Sequence, residues 1–285
     1  MNKKFLNFGK VLKFLQFHRL ISKEILNNSV RIFYSHEVKI SDFENYLKNI
    51  DYIMQNSNVL NPSDFFMTLE NNNNFQGKNT MFSFDDGLLS SYKFAKEVLS
   101  KYNIKAMFFI PTAILDIEKE HDMKKFVIRN IHYGKVPSKD FSKDEFLLMN
   151  KKHLIDLSSE GHLIFPHTKN HIFIKDITNQ SLVEKELIKP QKTIEEITGN
   201  FLKAFAFPVG TERQVSKYAY DRIKDNYDYC FTAFSGLISK NINHHKLYRS
   251  HLPGNAPITY LKMLLEGVYD TYYKVKMSRI SSIIK

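Results

Sequence analysis

The chain lacks tryptophan, has a single cysteine and contains no long apolar run. The one cysteine, Cys230, excludes an internal disulfide and any zinc site built from several cysteines. It lies in an apolar, aromatic segment, so a buried thiol is expected there in place of a catalytic one. No apolar stretch approaches the roughly 20 residues that a membrane-spanning helix needs.

The N-terminal segment also lacks the continuous apolar core of a secretory signal, because Lys10 and Lys13 interrupt it. With so little cysteine, a reducing compartment is expected, and we predict a cytoplasmic protein. Residues 1–29 have instead the pattern of a basic amphipathic helix. Such a helix either packs on its own domain or makes peripheral contact with the anionic inner face of a membrane.

The chain is long, basic and globular in composition. At 285 residues it can bury a sizeable core, and a single barrel-like domain fits that length. A net charge of +11 predicts attraction to something anionic, such as a membrane surface or a phosphorylated glycan carrier. The basic residues are spread along the chain and form no recognition motif, so no nucleic acid is expected as a partner.

Strand-like and helix-like segments alternate along the chain about seven times, which is typical of α/β proteins. Residues 30–34 and 106–110 are nearly continuously apolar, as strands buried on both faces are. This pattern predicts a parallel sheet or barrel with its functional residues at the C-terminal strand ends. The charged, weakly periodic segment near 116–150 is predicted to be an insertion with short helices that shapes substrate access.

One strand-like segment, residues 80–87, ends in two adjacent acids and a glycine. Successive strand side chains point to opposite faces, so Asp85 and Asp86 can share a target only if the chain turns there, which Gly87 permits. The alternative is that an aspartate simply caps the helix that follows.

His167 and His171 are four residues apart, so they could share one face of a helical turn. With Asp86 from another strand end, they would offer two imidazoles and one carboxylate to a metal ion. Such a facial triad leaves open positions for water and for a substrate oxygen, which suits Lewis-acid hydrolysis. The His-x-x-x-His spacing alone is weak support.

Three motifs in this order resemble the polysaccharide deacetylases, carbohydrate esterase family 4, which share the NodB-homology domain. They are Phe-Ser-Phe-Asp-Asp-Gly at 82–87, His-Thr-x-x-His at 167–171 and Phe-Ala-Phe-Pro-Val-Gly at 205–210. Residues 32–36, Ile-Phe-Tyr-Ser-His, resemble the N-terminal strand of the branch that deacetylates β-1,6-linked poly-N-acetylglucosamine. The resemblance extends over residues 30–255.

This resemblance implies a distorted, incomplete (β/α)7-type barrel over residues 30–270, between the helix of 1–29 and a basic tail, 271–285. It implies metal-dependent hydrolysis of the N-acetyl amide of an amino sugar in a bacterial glycan or carrier-linked precursor, releasing acetate. Two alternatives stay open. One is a deformylase or deacetylase of a sugar nucleotide or lipid-linked monosaccharide, and the other is an inactive barrel that binds a glycan or a membrane.

The resemblance also implies roles for the motif residues. Asp85 resembles the general base that takes a proton from the attacking water, and Thr168 the residue that steadies the histidine loop. One divalent ion is implied as cofactor, zinc first, with cobalt, nickel or manganese as alternatives. Its implied ligands are Asp86, His167 and His171.

The remaining roles fall at other strand ends. Val209, which follows Pro208, resembles the residue whose backbone N–H stabilises the oxyanion. His36 resembles the general acid of the branch with the N-terminal Tyr-His strand, and His251 is the competitor for that role. Many family members have an arginine where this chain has Ala206, so Arg249 is predicted to pair with Asp85 in its place. The family's tryptophan motif beside the acetyl group is also missing, which leaves a formyl group open as the substrate's acyl group.

Overall fold

The computed structural model describes residues 3–14, 23–135, 141–211 and 214–283. Strands and helices alternate through most of this range. The strands are β1 (Asn28–Ser35), β2 (Asn58–Val59), β3 (Gly77–Phe84), β4 (Ala106–Ile110), β5 (Leu163–Pro166), β6 (Ala204–Ala206), β7 (Tyr229–Phe231) and β8 (Ser250–His251). The helices are α1 (Lys3–Phe14), α2 (Lys23–Asn27), α3 (Phe43–Asn56), α4 (Pro62–Glu70), α5 (Leu89–Glu97), α6 (Glu120–Phe126), α7 (Lys143–Phe146), α8 (Lys151–Ser159), α9 (Gln180–Val183), α10 (Lys189–Thr198), α11 (Lys217–Asn226), α12 (Ile258–Leu265) and α13 (Asp270–Ile283).

The strands form a parallel barrel that is open on one side. The main sheet has the order β5-β4-β3-β1-β8, with the short β2 also paired to β3, and β6 pairs with β7 in a separate ladder. Leu247, just before β8, forms a parallel bridge to Phe231 in β7 and so joins the two sheets. Between β5 and β6 the described residues form no ladder. The predicted distorted, incomplete α/β barrel is confirmed.

The barrel strands are buried on both faces, which explains their nearly continuous apolar sequence. In β1, Val30 and Ile32 pack in one cluster with Met81 of β3. The alternate residue Phe33 packs with Phe82 in a second cluster, against the surrounding helices. Polar side chains therefore collect where the strands end, and the functional residues do too. Cys230 of β7 is fully buried, as expected, and burial raises the pKa of its thiol well above the usual value.

The described part of the N-terminal helix packs on the protein's own domain. In α1, Lys13 Nζ lies 2.6 Å from Glu266 Oε2 just after α12, and the rings of Phe8 and Tyr272 meet edge to face at 5.1 Å. Residues 15–22, which the predicted helix also includes, lie outside the described residues. None of the helices in the described residues is long and apolar enough to cross a membrane.

The segment predicted to be a basic tail is helical as far as residue 283. Its helix, α13, is anchored by a buried ion pair in which Arg31 Nη1 and Nη2 lie 2.9 and 2.6 Å from the two carboxylate oxygens of Asp270. Ser235 and Ser250 add hydroxyl contacts to the same pair. Breaking such a pair from one side typically costs about 3–5 kcal/mol, so α13 is fastened firmly to β1.

Several elements differ from the sequence prediction. The helix α4 and the short strand β2 have no counterpart in it, and the last strand, β8, is limited to Ser250–His251. The predicted insertion does contain short helices, α6 and α7, with a π-helical turn at Val127–Ile131. Residues 136–140 of that insertion lie outside the described part of the chain.

Candidate active site

The two adjacent acids are separated by a sharp turn at the end of β3. The N–H of Asp85 still bonds to the carbonyl of Ser35 at 2.9 Å, which extends the ladder with β1. Asp86 and Gly87 then follow with φ of 71° and 68°, in the left-handed region. The next helix starts at Leu89 with no side-chain cap. The alternative that an aspartate serves as its cap is therefore wrong.

Asp85 is held in a buried, bidentate ion pair. Arg249 Nη1 and Nη2 lie 2.6 and 2.9 Å from its two carboxylate oxygens, and the side chains of Asp85 and Arg249 are 3% and 1% exposed. The guanidinium also stacks over Tyr34 at 4.7 Å from the ring centroid. Arg249 therefore does pair with Asp85. Because of this ion pair, Asp85 is not part of the cluster that Asp86 forms with His167 and His171.

Asp86 instead faces the two histidines. Its Oδ1 lies 3.8 Å from His167 Nε2 and 3.2 Å from His171 Nε2, and all three side chains are buried. One donor atom from each residue lies within 4.8 Å of the others. Both oxygens of Asp86 are buried without a hydrogen-bond partner among the described residues. Such orphaned acceptors are rare in folded proteins, and a divalent cation would satisfy them, so the residues fit the expected metal ion.

Each histidine is oriented by a backbone carbonyl. His167 Nδ1 lies 2.7 Å from the oxygen of Ala206, at the end of β6, and His171 Nδ1 lies 2.9 Å from the oxygen of Asn130. A carbonyl can only accept, so both Nδ1 atoms carry a proton, and in the neutral imidazoles both Nε2 atoms present a lone pair to Asp86. Hydrogen bonds of this kind fix the orientation of metal-ligating histidines.

The charges of the cluster also suit a cation. Burial lowers the pKa of His167 to about 4, so this imidazole is neutral near pH 7. Burial would likewise lower the pKa of His171, but the adjacent carboxylate of Asp86 outweighs it and raises that pKa. For Asp86, burial alone would raise the pKa, but the neighbouring histidines, His171 foremost, hold it well below its usual range. The histidines therefore favour the ionised form of the Asp86 carboxylate.

The loop that carries the histidines is not a helical turn, so that expectation is wrong. Thr168 and His171 have φ of 62° and 54°, which no α-helix contains. The fully buried Thr168 closes the loop, because its Oγ1 accepts the N–H of Ile172 at 3.3 Å and its carbonyl accepts the N–H of Thr112 at 3.2 Å. The loop therefore depends on outside contacts to hold both imidazoles on one side.

The turn after β6 is strained as well. The N–H of Gly210 bonds to the carbonyl of Pro208 at 2.7 Å, and Val209 between them has φ of 63°. A positive φ is a rare conformation for a β-branched residue. Gly210 is required, because a Cβ there would lie 2.6 Å from the backbone nitrogen of Ala233. The N–H of Val209 donates to no acceptor among the described residues.

A cavity of about 590 Å³ opens over the cluster, within the range of ligand pockets. Its lining includes Asp86, His171, Val209 and the two candidate acids, His36 and His251. The rings of those two histidines lie 5.4 Å apart. The two predicted acid positions therefore form one pair at the edge of the site.

Three contributors escape the sequence prediction. Asn130 acts through its backbone carbonyl, which no residue pattern reports. Tyr133 donates its hydroxyl to the carbonyl of His171 at 3.0 Å, but it lies in the insertion, whose weak periodicity gives no signal. Glu186 supports the histidine loop from a helix, and its place among ordinary surface glutamates in the sequence conceals this role.

A sequence model of the polysaccharide deacetylase family matches residues 72–225. The match covers more than half of the chain and includes Asp85, all three residues of the cluster, and Val209. The chain belongs to the polysaccharide deacetylase family. As its name says, this is a family of polysaccharide deacetylases, and the buried cluster of this chain lies within the matched residues. His36, Arg249 and His251 lie outside the matched residues.

Three solved structures of bacterial proteins have the same fold. The Streptococcus pyogenes deacetylase PplD, in complex with acetate, is 17% identical and aligns over 84% of this chain and 99% of its own, with a TM-score of 0.63. IcaB from Ammonifex degensii is 15% identical and aligns over 84% of this chain and 97% of its own, with a TM-score of 0.64. A de-N-acetylase from Aggregatibacter actinomycetemcomitans is 13% identical and aligns over 83% of this chain and 100% of its own, with a TM-score of 0.62. No curated protein sequence matched the chain. These likenesses establish the barrel.

If the cluster holds a metal ion, divalent metal should stabilise the fold. At a free zinc concentration about 100-fold above the dissociation constant, the parent protein should gain about 2.7 kcal/mol in its free energy of unfolding. His167→Ala should lose most of this gain, because it removes one ligand. The measurement is thermal unfolding with and without zinc, and His121→Ala, at an exposed histidine of α6, is the control. An equal gain in the parent and in His167→Ala would contradict the assignment.

Proposed function

We propose that the protein hydrolyses the N-acetyl amide of an amino sugar in a bacterial glycan or carrier-linked precursor. One divalent ion, zinc first, would be held by Asp86, His167 and His171. The observation that carries the proposal is the buried carboxylate of Asp86, which has no hydrogen-bond partner among the described residues and faces two imidazoles with their Nε2 lone pairs free. Beside it, Asp85 is kept out of the ligand set by Arg249.

The surrounding residues support a division of the chemistry. When bound, a divalent ion supplies Lewis-acid activation of a water molecule and of the amide carbonyl. Asp85 accepts a proton from the water while the oxygen of the water bonds to the carbonyl carbon. Arg249 keeps the Asp85 carboxylate oriented for this step. The backbone N–H of Val209, in the turn after Pro208, donates to the carbonyl oxygen as negative charge develops on it. The C–N bond then breaks, and acetate and an amine leave.

The leaving amine must receive a proton, and His36 is the proposed donor. Both His36 and His251 line the cavity. His251 is exposed to solvent, yet the protein packed around its ring lowers its pKa, and the neighbouring His36 lowers it further. A histidine that resists protonation is a poor general acid near neutral pH. His251 then serves as the neutral neighbour of the donor.

The space around the site favours a substrate longer than one sugar. A second cavity of about 510 Å³ shares Glu37, His251, Pro253 and Asn255 with the first. Adjoining room beside His251 fits the proposed branch, whose substrate is β-1,6-linked poly-N-acetylglucosamine. The catalytic unit is proposed to be residues 30–270.

The location of the reaction is proposed to be the cytoplasm, with peripheral contact at the inner membrane. The support is the end of α1, where the side chains of Val11 and Phe14 are 55% and 83% exposed beside basic residues. Such a pairing of apolar and basic side chains suits an anionic lipid surface.

The reaction can be tested by mass spectrometry. Incubation with metal-loaded protein should lower the mass of short β-1,6-linked N-acetylglucosamine oligomers. Each sugar that loses its acetyl group, which a hydrogen atom replaces, should become lighter by about 42 mass units. The same panel should include N-formyl analogues, UDP-linked N-acetylated sugars and lipid-linked monosaccharides. If only the sugar nucleotides or only the formyl compounds lose mass, the proposed substrate is wrong and that class of compound is the substrate instead. No mass change on any compound would favour an inactive binding barrel.

The acid assignment predicts unequal effects at the paired histidines. His36→Ala should lower kcat by about 100-fold or more, because the leaving amine loses its proton donor. His251→Ala should lower it by much less. The two variants should be compared on an amide substrate and on an acetate ester, whose leaving group needs protonation less. A larger loss in His251→Ala would move the acid to that position.

A further inference from the structure

A buried carboxylate outside the cluster supports the histidine loop. Glu186 is 1% exposed, and its Oε2 accepts the backbone N–H groups of Lys169 and Asn170 at 3.1 and 3.0 Å. Its Oε1 accepts the side-chain amide of Asn170 at 2.6 Å. The ammonium of Lys185, on the surface, lies 3.9 Å from Oε1. These three hydrogen bonds hold the middle of the loop between the two histidines.

The helix that carries Glu186 is widened where this side chain projects. The residues from α9 to α10 are continuously helical, but Glu184–Ile188 form a π-helical turn. Pro190 follows and has no N–H to donate to the carbonyl of Glu186, so a regular α-helical bond is impossible there. Turns of this kind occur often at functional sites. Here the turn carries a charged side chain into the protein interior.

A chain of hydrogen bonds links Glu186 to one of the histidines. Asn170 donates to Glu186, and its carbonyl accepts the side-chain amide of Asn130 at 2.8 Å. The carbonyl of Asn130 in turn accepts the Nδ1–H of His171 at 2.9 Å. The insertion and the helix therefore orient the same imidazole from two sides.

The loop needs this support because its backbone is strained. Thr168 and His171 both have positive φ, a strained conformation that persists only where the surrounding structure enforces it. Glu186 binds the two N–H groups that lie between them. We propose that Glu186 is a positioning residue, which sets the metal affinity of the site by holding His167 and His171 in place without touching the ion. This inference depends on the metal site of the proposed function but not on its substrate.

The direct test is the metal affinity of Glu186→Gln. The amide keeps the size of the side chain but cannot accept both N–H groups and the Asn170 amide at once. We expect zinc affinity, measured by competition with a chromophoric chelator, to fall by about 10- to 100-fold. Glu196→Gln, an exposed glutamate on α10, is the matched control and should bind zinc as the parent does.

Further measurements separate a positioning role of Glu186 from a purely structural one. At saturating zinc, Glu186→Gln should recover most of the parent's kcat and have an unchanged KM, since the residue does not touch substrate. If Glu186→Gln fails to fold, Asn170→Ala, which removes the side-chain hydrogen bond to Glu186 Oε1 but keeps the two backbone bonds to Oε2, should show a smaller loss of zinc affinity. If Glu186→Gln has a lower melting temperature but unchanged zinc affinity, the positioning role is wrong while the proposed function still stands. A parent protein that binds no divalent ion would contradict the proposed function as well.

Discussion

The left-handed turn at Asp86 and Gly87 is the constraint on which the site depends. Without it, two adjacent strand residues would point to opposite faces, and only one could reach the strand ends where the histidines lie. With it, Asp85 meets Arg249 at 2.6 Å and Asp86 meets the imidazoles. A buried acid with a cationic partner and a buried acid without one thus stand side by side. The ion pair orients Asp85 away from the cluster, and Asp86 alone faces the two imidazoles.

The strain at Asp86 is part of a wider pattern. Other residues with side chains and positive φ at the C-terminal strand ends are Thr168, His171 and Val209. Two of these are β-branched, for which this conformation is least favourable. Strain of this kind persists only where the surrounding structure enforces it. Here the enforcement comes from buried hydrogen bonds to Thr168, from Glu186 and from the tight approach of Gly210 to Ala233.

The sequence predicts the barrel and the cluster well, because each depends on side-chain chemistry. Buried parallel strands need apolar residues on both faces, and a metal site needs His and Asp at strand ends. Supports made by the backbone leave no such trace, which is why the carbonyls of Ala206 and Asn130 could not be predicted. The helical turn predicted for the histidines was wrong, because the loop is held in another conformation by contacts from distant residues such as Glu186, fifteen residues beyond His171. The helix α4 could have been found, since Pro62 at its first turn is a known start signal.

The central claim is that the adjacent acids have different tasks, with Asp86 binding the metal ion and Asp85 accepting a proton. The most direct measurement is turnover per bound metal ion in Asp85→Asn, with bound metal determined by mass spectrometry on the same sample. The amide still offers an oxygen to Arg249, so the variant should keep the parent's metal content while turnover per metal ion falls by about 100-fold or more. Parent-like turnover per bound metal ion would contradict the account, and so would loss of the metal itself.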